Sequence, residues 1–311
     1  MTGVRVAMCG AVPRSATLRA AGLVLTAFAL AGCLDVPVPS ASPTPGPTPE
    51  PTPVTTTYHP GTTVWYEGFI IHVASAVAAL DERGGPVEVR VVLENPNEED
   101  SDLDARVLLQ VGDDASTPPV VMSRDSKIPT VPAHASAAAV LTYELQGVAS
   151  VEDAVLLIGE APDHVARIPL TPAGGAATTL EPVDLTVSGR RDAGSLRITL
   201  RAGLVRWDLP DWSQELPADV EAITLTYDAT YNAGFTGGFA FTGANVALRL
   251  PDGTIVEARR DGHSQSVELI GAHQTKKGLF SRFEVPSGTT GKFALLVRNG
   301  KNTAAISFTI K

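Results

Sequence analysis

From residue 60 onward the chain alternates apolar and polar side chains far more often than it repeats at helical spacing. The stretch VEVRVVLEN puts Val87, Val89, Val91 and Leu93 on one side and Glu88, Arg90 and Glu94 on the other. Successive side chains of a strand point to opposite faces, so this pattern predicts a half-buried antiparallel strand. EAITLTYDATYN repeats it with Ile223, Leu225, Tyr227, Ala229 and Tyr231. Such runs are short and are separated by Gly, Pro, Asn or Asp, the residues that make turns.

The alternating runs occur twice in the same order. ARVLLQVGDD from Ala105 aligns with ANVALRLPDG from Ala244, so that Val107, Leu109, Val111 and Asp113 meet Val246, Leu248, Leu250 and Asp252 at an offset of 139. Arg124-Asp125-Ser126 then faces Arg260 to Ser264. TYEL at Thr142 meets RFEV at Arg282, and AVLLIG at Ala154 meets ALLVRNG at Ala294, both at offset 140. Val165, Ile168 and Leu170 meet Ala305, Phe308 and Ile310. A period this long fits tandem domains, not a solenoid. Each copy holds about seven short runs, which predicts two antiparallel, immunoglobulin-like β-sandwiches over residues 60–170 and 183–311; strand order in sequence leaves a barrel open. TPAGGAATTLEP, residues 171–182, has the composition of a linker between them.

The N-terminus has another pattern. Residues 1–19 carry Arg5, Arg14 and Arg19 and no acid, and Ala20 to Leu30 is an uncharged stretch of eleven residues. It is too short to cross a bilayer, which takes about 20 residues, and has the length of a secretory signal core. Ala29-Leu30-Ala31 fits ordinary signal cleavage, which would release a soluble protein. Leu30-Ala31-Gly32-Cys33 resembles the bacterial lipobox, whose cysteine thiol takes a diacylglyceryl group before cleavage on its N-terminal side. The expectation is a lipoprotein signal peptide over 1–32 and a lipidated Cys33 (diacylglycerol, palmitate), because a spacer suited to a membrane tether comes directly after the cysteine. Residues 33–57 contain Pro37, Pro39, Pro43, Pro45, Pro47, Pro49, Pro51 and Pro53 among Ser and Thr. Proline fixes φ and removes donors, so this stretch reads as a disordered, extended spacer.

Lipobox, Pro/Thr tether and cysteine-free sandwiches together resemble the uncharacterised secreted antigens and lipoproteins of high-GC Gram-positive bacteria. The resemblance covers the layout of residues 20–311 and is specific only at the lipobox. It implies no catalytic residues.

Composition narrows the partners. The chain has 311 residues and a formal charge of −10. Beyond residue 32 it carries 21 basic against 34 acidic residues, a balance of −13 that disfavours nucleic acid. Cys9 and Cys33 are the two cysteines, so the sandwiches contain no disulfide and no cysteine-ligated metal. The six histidines show no closely spaced pair of the kind that marks zinc.

Several stretches resemble chemical motifs and fall short. Gly262 to Ser266, GHSQS, lacks the final glycine of a nucleophile elbow and feeds a strand. Pro286 to Phe293, PSGTTGKF, lacks the first glycine of a phosphate loop and has Phe293 where a magnesium-binding hydroxyl belongs. In NEEDSDLDA, Asp100, Asp102 and Asp104 alternate like the first calcium ligands of an EF-hand, but Ala105 and Val111 replace its glycine and glutamate. A looser calcium site or a solvated acidic loop remain. RWDLPDW brings Trp207 and Trp212 within six residues, a candidate ligand surface or a plug closing the sandwich. Asn232 to Gly243 is a glycine-rich loop or a long hairpin connection.

The expected protein is thus an extracytoplasmic, lipid-anchored, non-enzymatic binding or adhesion module without cofactors. Its partners are the bilayer, through acylated Cys33, and an extracellular protein or glycan. A secreted hydrolase or its accessory domain, and a structural spacer in an envelope complex, are the alternatives.

Overall fold

The structure, a computed structural model, describes residues 52–112, 115–117, 128–260 and 267–311. Leu30, Ala31, Gly32 and Cys33, most of the proline tract, Arg124 to Ser126 and the GHSQS stretch lie outside the described residues. The protein is all-β. The first sandwich contains β1 (Val54–Tyr58), β2 (Thr62–Tyr66), β3 (Phe69–Leu80), β4 (Gly84–Asn95), β5 (Val107–Val111), β6 (Ala115–Thr117), β7 (Ala135–Gln146), β8 (Val155–Ile158) and β9 (Ala166–Pro169). The second contains β10 (Val183–Leu185), β11 (Gly189–Ala193), β12 (Leu196–Arg206), β13 (Asp208–Leu209), β14 (Gln214–Glu215), β15 (Val220–Tyr231), β16 (Phe239–Phe241), β17 (Val246–Arg249), β18 (Ile255–Glu257), β19 (Glu268–Ile270), β20 (Thr275–Pro286), β21 (Gly291–Asn299) and β22 (Asn302–Ile310).

The two copies share one topology. In the first, a sheet ordered β1-β3-β4-β7, with β2 also on β3, faces a sheet ordered β6-β5-β8-β9. In the second, β10-β12-β15-β20, with β11 on β12, faces β18-β17-β21-β22. Every pairing is antiparallel, and the repeat extends to irregularities. The register of β3 against β4 slips between Val73 and Ser75, and that of β12 against β15 slips between Leu200 and Ala202. The sandwiches are immunoglobulin-like in layering and size. Their strand order is immunoglobulin-like too: β3, β4 and β7 take the places of strands A, B and E in one sheet, and β5, β8 and β9 those of C, F and G in the other, with β6 added beside β5.

Alternation positions the core. Val87, Val89, Val91 and Leu93 are all buried, and Leu109, Leu141, Leu156 and Ile158 meet them from both sheets in one cluster. A second cluster holds Ile223, Leu225, Tyr227, Leu248, Phe283, Phe293 and Leu295. Each such side chain removed from water contributes roughly 1.5–3 kcal/mol, which serves in place of disulfide staples.

Two boundaries differ from the sequence reading. Strand β1 starts at Val54, inside the predicted tether of residues 33–57. Pro53 is the last proline of the tract, and the β-branched run Val-Thr-Thr-Thr after it pairs with β3, from Val54 opposite Leu80 to Tyr58 opposite Ala76. The predicted linker of residues 171–182 is fastened to the first sandwich. Thr178 exchanges two backbone hydrogen bonds with Arg167, at 2.9 and 3.0 Å. The carbonyl of Thr179 accepts from the Trp65 N–H at 2.9 Å, and Leu180 packs against the first core.

Candidate functional site

The RWDLPDW stretch and its continuation to Leu216 form the elements by which the second sandwich meets the first. Pro210 opens a single 3-10 turn, Pro210–Trp212, which Ser213 closes in the left-handed region at φ 44°. The turn brings β13 and β14 together, with Asp208 directly opposite Glu215. Two carboxylates at that spacing repel each other, and their partners show how the pair is held. Arg206 grips Asp208 through two hydrogen bonds, at 2.6 and 2.9 Å. The remaining donors come from the first sandwich. The N–H of Gly68 donates to Asp208 Oδ2 at 2.7 Å, and the N–H of Glu67 donates to Glu215 Oε2 at 3.2 Å.

Glu67 and Gly68 are the two central residues of the β2–β3 hairpin turn, with φ of 48° and 85°. Positive φ at both positions is what a two-residue type I′ hairpin requires. Gly68 is constrained twice, because a Cβ there would lie 2.8 Å from the Cα of Pro210. Burial, with the Asp208 charge next, pushes the Glu215 carboxyl up to about 9. Burial also pushes Glu67 up to about 7, although the N–H groups of Asp104 and Ala105 donate to its Oε2. Both groups are therefore held toward their neutral forms.

His164 completes the junction. Its Nδ1 and backbone N both lie on the carbonyl of Leu216, at 2.9 and 3.2 Å; a carbonyl only accepts, so Nδ1 carries the proton. Nδ1 is also 3.7 Å from Glu215 Oε1. Nε2 is buried without a hydrogen-bond partner among the described residues, and the ring meets Trp207 edge-on with centroids 6.5 Å apart. The Tyr66 hydroxyl donates to the His164 carbonyl at 2.9 Å, and burial raises the phenol far above its ordinary value. Gly159 leaves the room: a Cβ there would sit 2.0 Å from that hydroxyl oxygen.

The acidic loop packs against the same turn, with Ser101 Oγ bonded to Ser213 Oγ. Asp100 accepts from the Ala133 N–H at 3.0 Å, Glu98 contacts His134 at 3.1 Å, and Asp102 is exposed. Asp100, Asp102 and Asp104 do not converge, and among the described residues no group of three or more His, Cys, Asp or Glu is arranged to hold a metal. A cleft of about 120 Å³ lies between Asn97–Ser101 and the Pro210–Ser213 turn.

Trp207 and Trp212 part company. Trp212 is 48% exposed on the junction turn. Trp207 is half-buried in the wall of a cavity of about 510 Å³ in the second sandwich, between β10, the start of β15 and the β20–β21 turn. Glu221 also lines it. That side chain is buried, its Oε2 accepts from the Gly288 N–H at 3.0 Å, and burial raises its carboxyl. The sequence pattern picks out Trp207 but not Glu221, which reads there as an ordinary polar residue at a strand start. It also misses Glu67, Asp208, Glu215 and His164. The one local signal is the Glu-Gly pair between TTVWY and FIIHV, a hairpin turn whose tip has no visible partner in sequence.

No family model matches the chain. A "Probable malate:quinone oxidoreductase" of Stenotrophomonas maltophilia (strain K279a) is 32% identical over 110 residues, which are 34% of this chain. The chain spans about a fifth (19%) of the length of that relative. A match of this extent carries neither a family nor an activity to the protein.

Proposed function

We propose that the protein is a membrane-anchored extracytoplasmic lipoprotein whose paired sandwiches form a non-enzymatic binding module. The observation that carries this reading is Leu30-Ala31-Gly32-Cys33, placed after eleven uncharged residues and before a proline-rich tract. A thiol at that position accepts a diacylglyceryl group, and stable anchoring takes two acyl chains. A proline-rich sequence of this kind suits a spacer between an acylated cysteine and a folded domain, since such sequences favour an extended backbone of about 3.1 Å per residue. The folded part supports binding over catalysis. Its polar cluster of Asp208, Glu215 and Glu67 is consumed in joining the sandwiches, and its larger cavity offers an indole and a single buried carboxylate.

The test is Cys33→Ser. Metabolic labelling with a palmitate analogue marks the wild type and not the variant, and the variant leaves the membrane fraction. A variant that stays with membranes as the wild type does would make the anchor assignment wrong.

A further inference from the structure

The cavity of the second sandwich has a lining that selects a class of ligand, and the inference rests on the binding reading proposed for the protein. Its volume of about 510 Å³ falls inside the roughly 300–1,000 Å³ range of small-molecule sites. One wall carries the half-buried indole of Trp207. Opposite chemistry comes from Glu221, 5% exposed, with Oε2 on the Gly288 N–H and no hydrogen bond to Oε1 among the described residues. A carboxylate in a cavity wall accepts from a donor, and a hydroxyl brings one without adding charge.

Hydroxyls recur in the rest of the lining, beside the apolar Val183, Leu185, Val205 and Ile310. Thr186, Thr289, Thr290 and Thr309 place four hydroxyl-bearing side chains around the opening. Thr289 donates its hydroxyl to the Pro286 carbonyl at 2.5 Å, which leaves its oxygen lone pairs as acceptors. An aromatic wall with acceptors and hydroxyls around it matches a ring that is apolar on its C–H face and polar at its edge. Glu221 and Asp184 outnumber Lys311 among the charged side chains of the lining, and with the overall charge of −10 they disfavour an anionic ring. We propose that this cavity binds a neutral pyranose residue of a saccharide, its C–H face against Trp207 and its hydroxyls on Glu221 and the threonines.

The full-length chain, solubilised in detergent, is titrated calorimetrically with neutral oligosaccharides of glucose, galactose, mannose and N-acetylglucosamine. An oligogalacturonate and an extended threonine-rich peptide are run beside them. Binding of at least one neutral series is expected. Thr290→Arg, at a rim position where the larger side chain fills the opening without touching the core, and Trp207→Ala each weaken it at least ~10-fold, equivalent to about 1.4 kcal/mol. Trp207→Phe retains part of the affinity, which separates loss of the aromatic wall from loss of the fold. Trp212→Ala, outside the cavity, leaves binding unchanged. The proposal is overturned if no neutral saccharide binds, if the uronate or the peptide binds in preference, or if binding survives Thr290→Arg. Cys33 labelling is independent of these titrations, so an acylated protein that binds no sugar removes this inference and leaves the anchor standing.

Discussion

The backbone N–H of Gly68 donates to Oδ2 of Asp208 at 2.7 Å, so the tip of the first sandwich's first hairpin is fastened to the second sandwich. The bond depends on a residue with φ of 85° and no side chain, because a Cβ at Gly68 would press on the Pro210 backbone at 2.8 Å. Gly68→Ala is expected to destabilise by about 1–3 kcal/mol from strain and displacement of the turn. Gly61 provides the control. Its φ is 59° and a Cβ there meets nothing within 4 Å, so Gly61→Ala reports backbone strain alone. Urea midpoints of the two variants should differ, with Gly68→Ala the lower; equal losses would mean that the junction contact contributes nothing.

Stability should fall as pH rises. The carboxyls of Glu67 and Glu215 both sit above the ordinary 4.5, at about 7 and about 9. A raised acid is neutral in the folded state and binds more protons there than in the unfolded chain. Its contribution is complete below about 4.5 and is lost as pH climbs through about 7 for Glu67 and about 9 for Glu215. Melting between about pH 5 and pH 9 should therefore show a steady decline. Glu215→Gln, which keeps the neutral shape, should flatten the upper part of that decline. A wild type as stable at the alkaline end of this range as at the acid end would contradict the buried, neutral Glu215.

The sandwiches were legible in sequence because alternation is itself the record of burial. Val87 to Leu93 and Ile223 to Tyr231 read as strand faces, and every apolar position the pattern named is buried; Asp228, on the opposite face and paired with Arg201, is buried as well. The paired copies were legible because Leu109 and Leu248, or Phe308 and Ile168, answer the same packing demand. The ends were not. Val54 comes after a proline tract whose composition masks the strand, and the Thr178 and Thr179 contacts use backbone groups that no side-chain pattern reveals. The junction was hidden for another reason: Glu67 and Glu215 lie 148 residues apart, so neither local charge nor spacing links them. Trp207 was visible as a tryptophan near a proline. The cavity beside it needed five separate segments to be brought together.

Equivalent core positions should behave alike and independently. Leu109 and Leu248 occupy matching places on β5 and β17, and each is fully buried in a different cluster. Truncation to Ala removes the transfer energy and leaves a cavity, at a cost of about 2–5 kcal/mol each. Because the two share no packing partners, the double variant should lose the sum to within about 0.5 kcal/mol. Denaturant unfolding of the two single variants and the double variant checks this. A coupling well beyond that margin would mean that the two cores are not separate.

The acidic loop gives the last prediction, and the structure shapes its sign. Asp100 already accepts the Ala133 N–H, the Asp104 backbone is bound to Glu67, and Glu98 is beside His134. Asp102 stands exposed without converging neighbours. A calcium ion takes about six to eight oxygens at roughly 2.3–2.6 Å, so coordination here would require these bonds to break first. Calcium should then act only by screening repulsion among the carboxylates, as any salt does. Millimolar calcium and sodium at matched ionic strength should raise the melting temperature equally, and Asp102→Asn should change neither response. Specific binding would instead add RT ln(1 + [L]/Kd) of stabilisation for calcium alone. A calcium-specific shift that Asp102→Asn removes would show that the loop closes around the ion, against the present separation of Asp100 and Asp104.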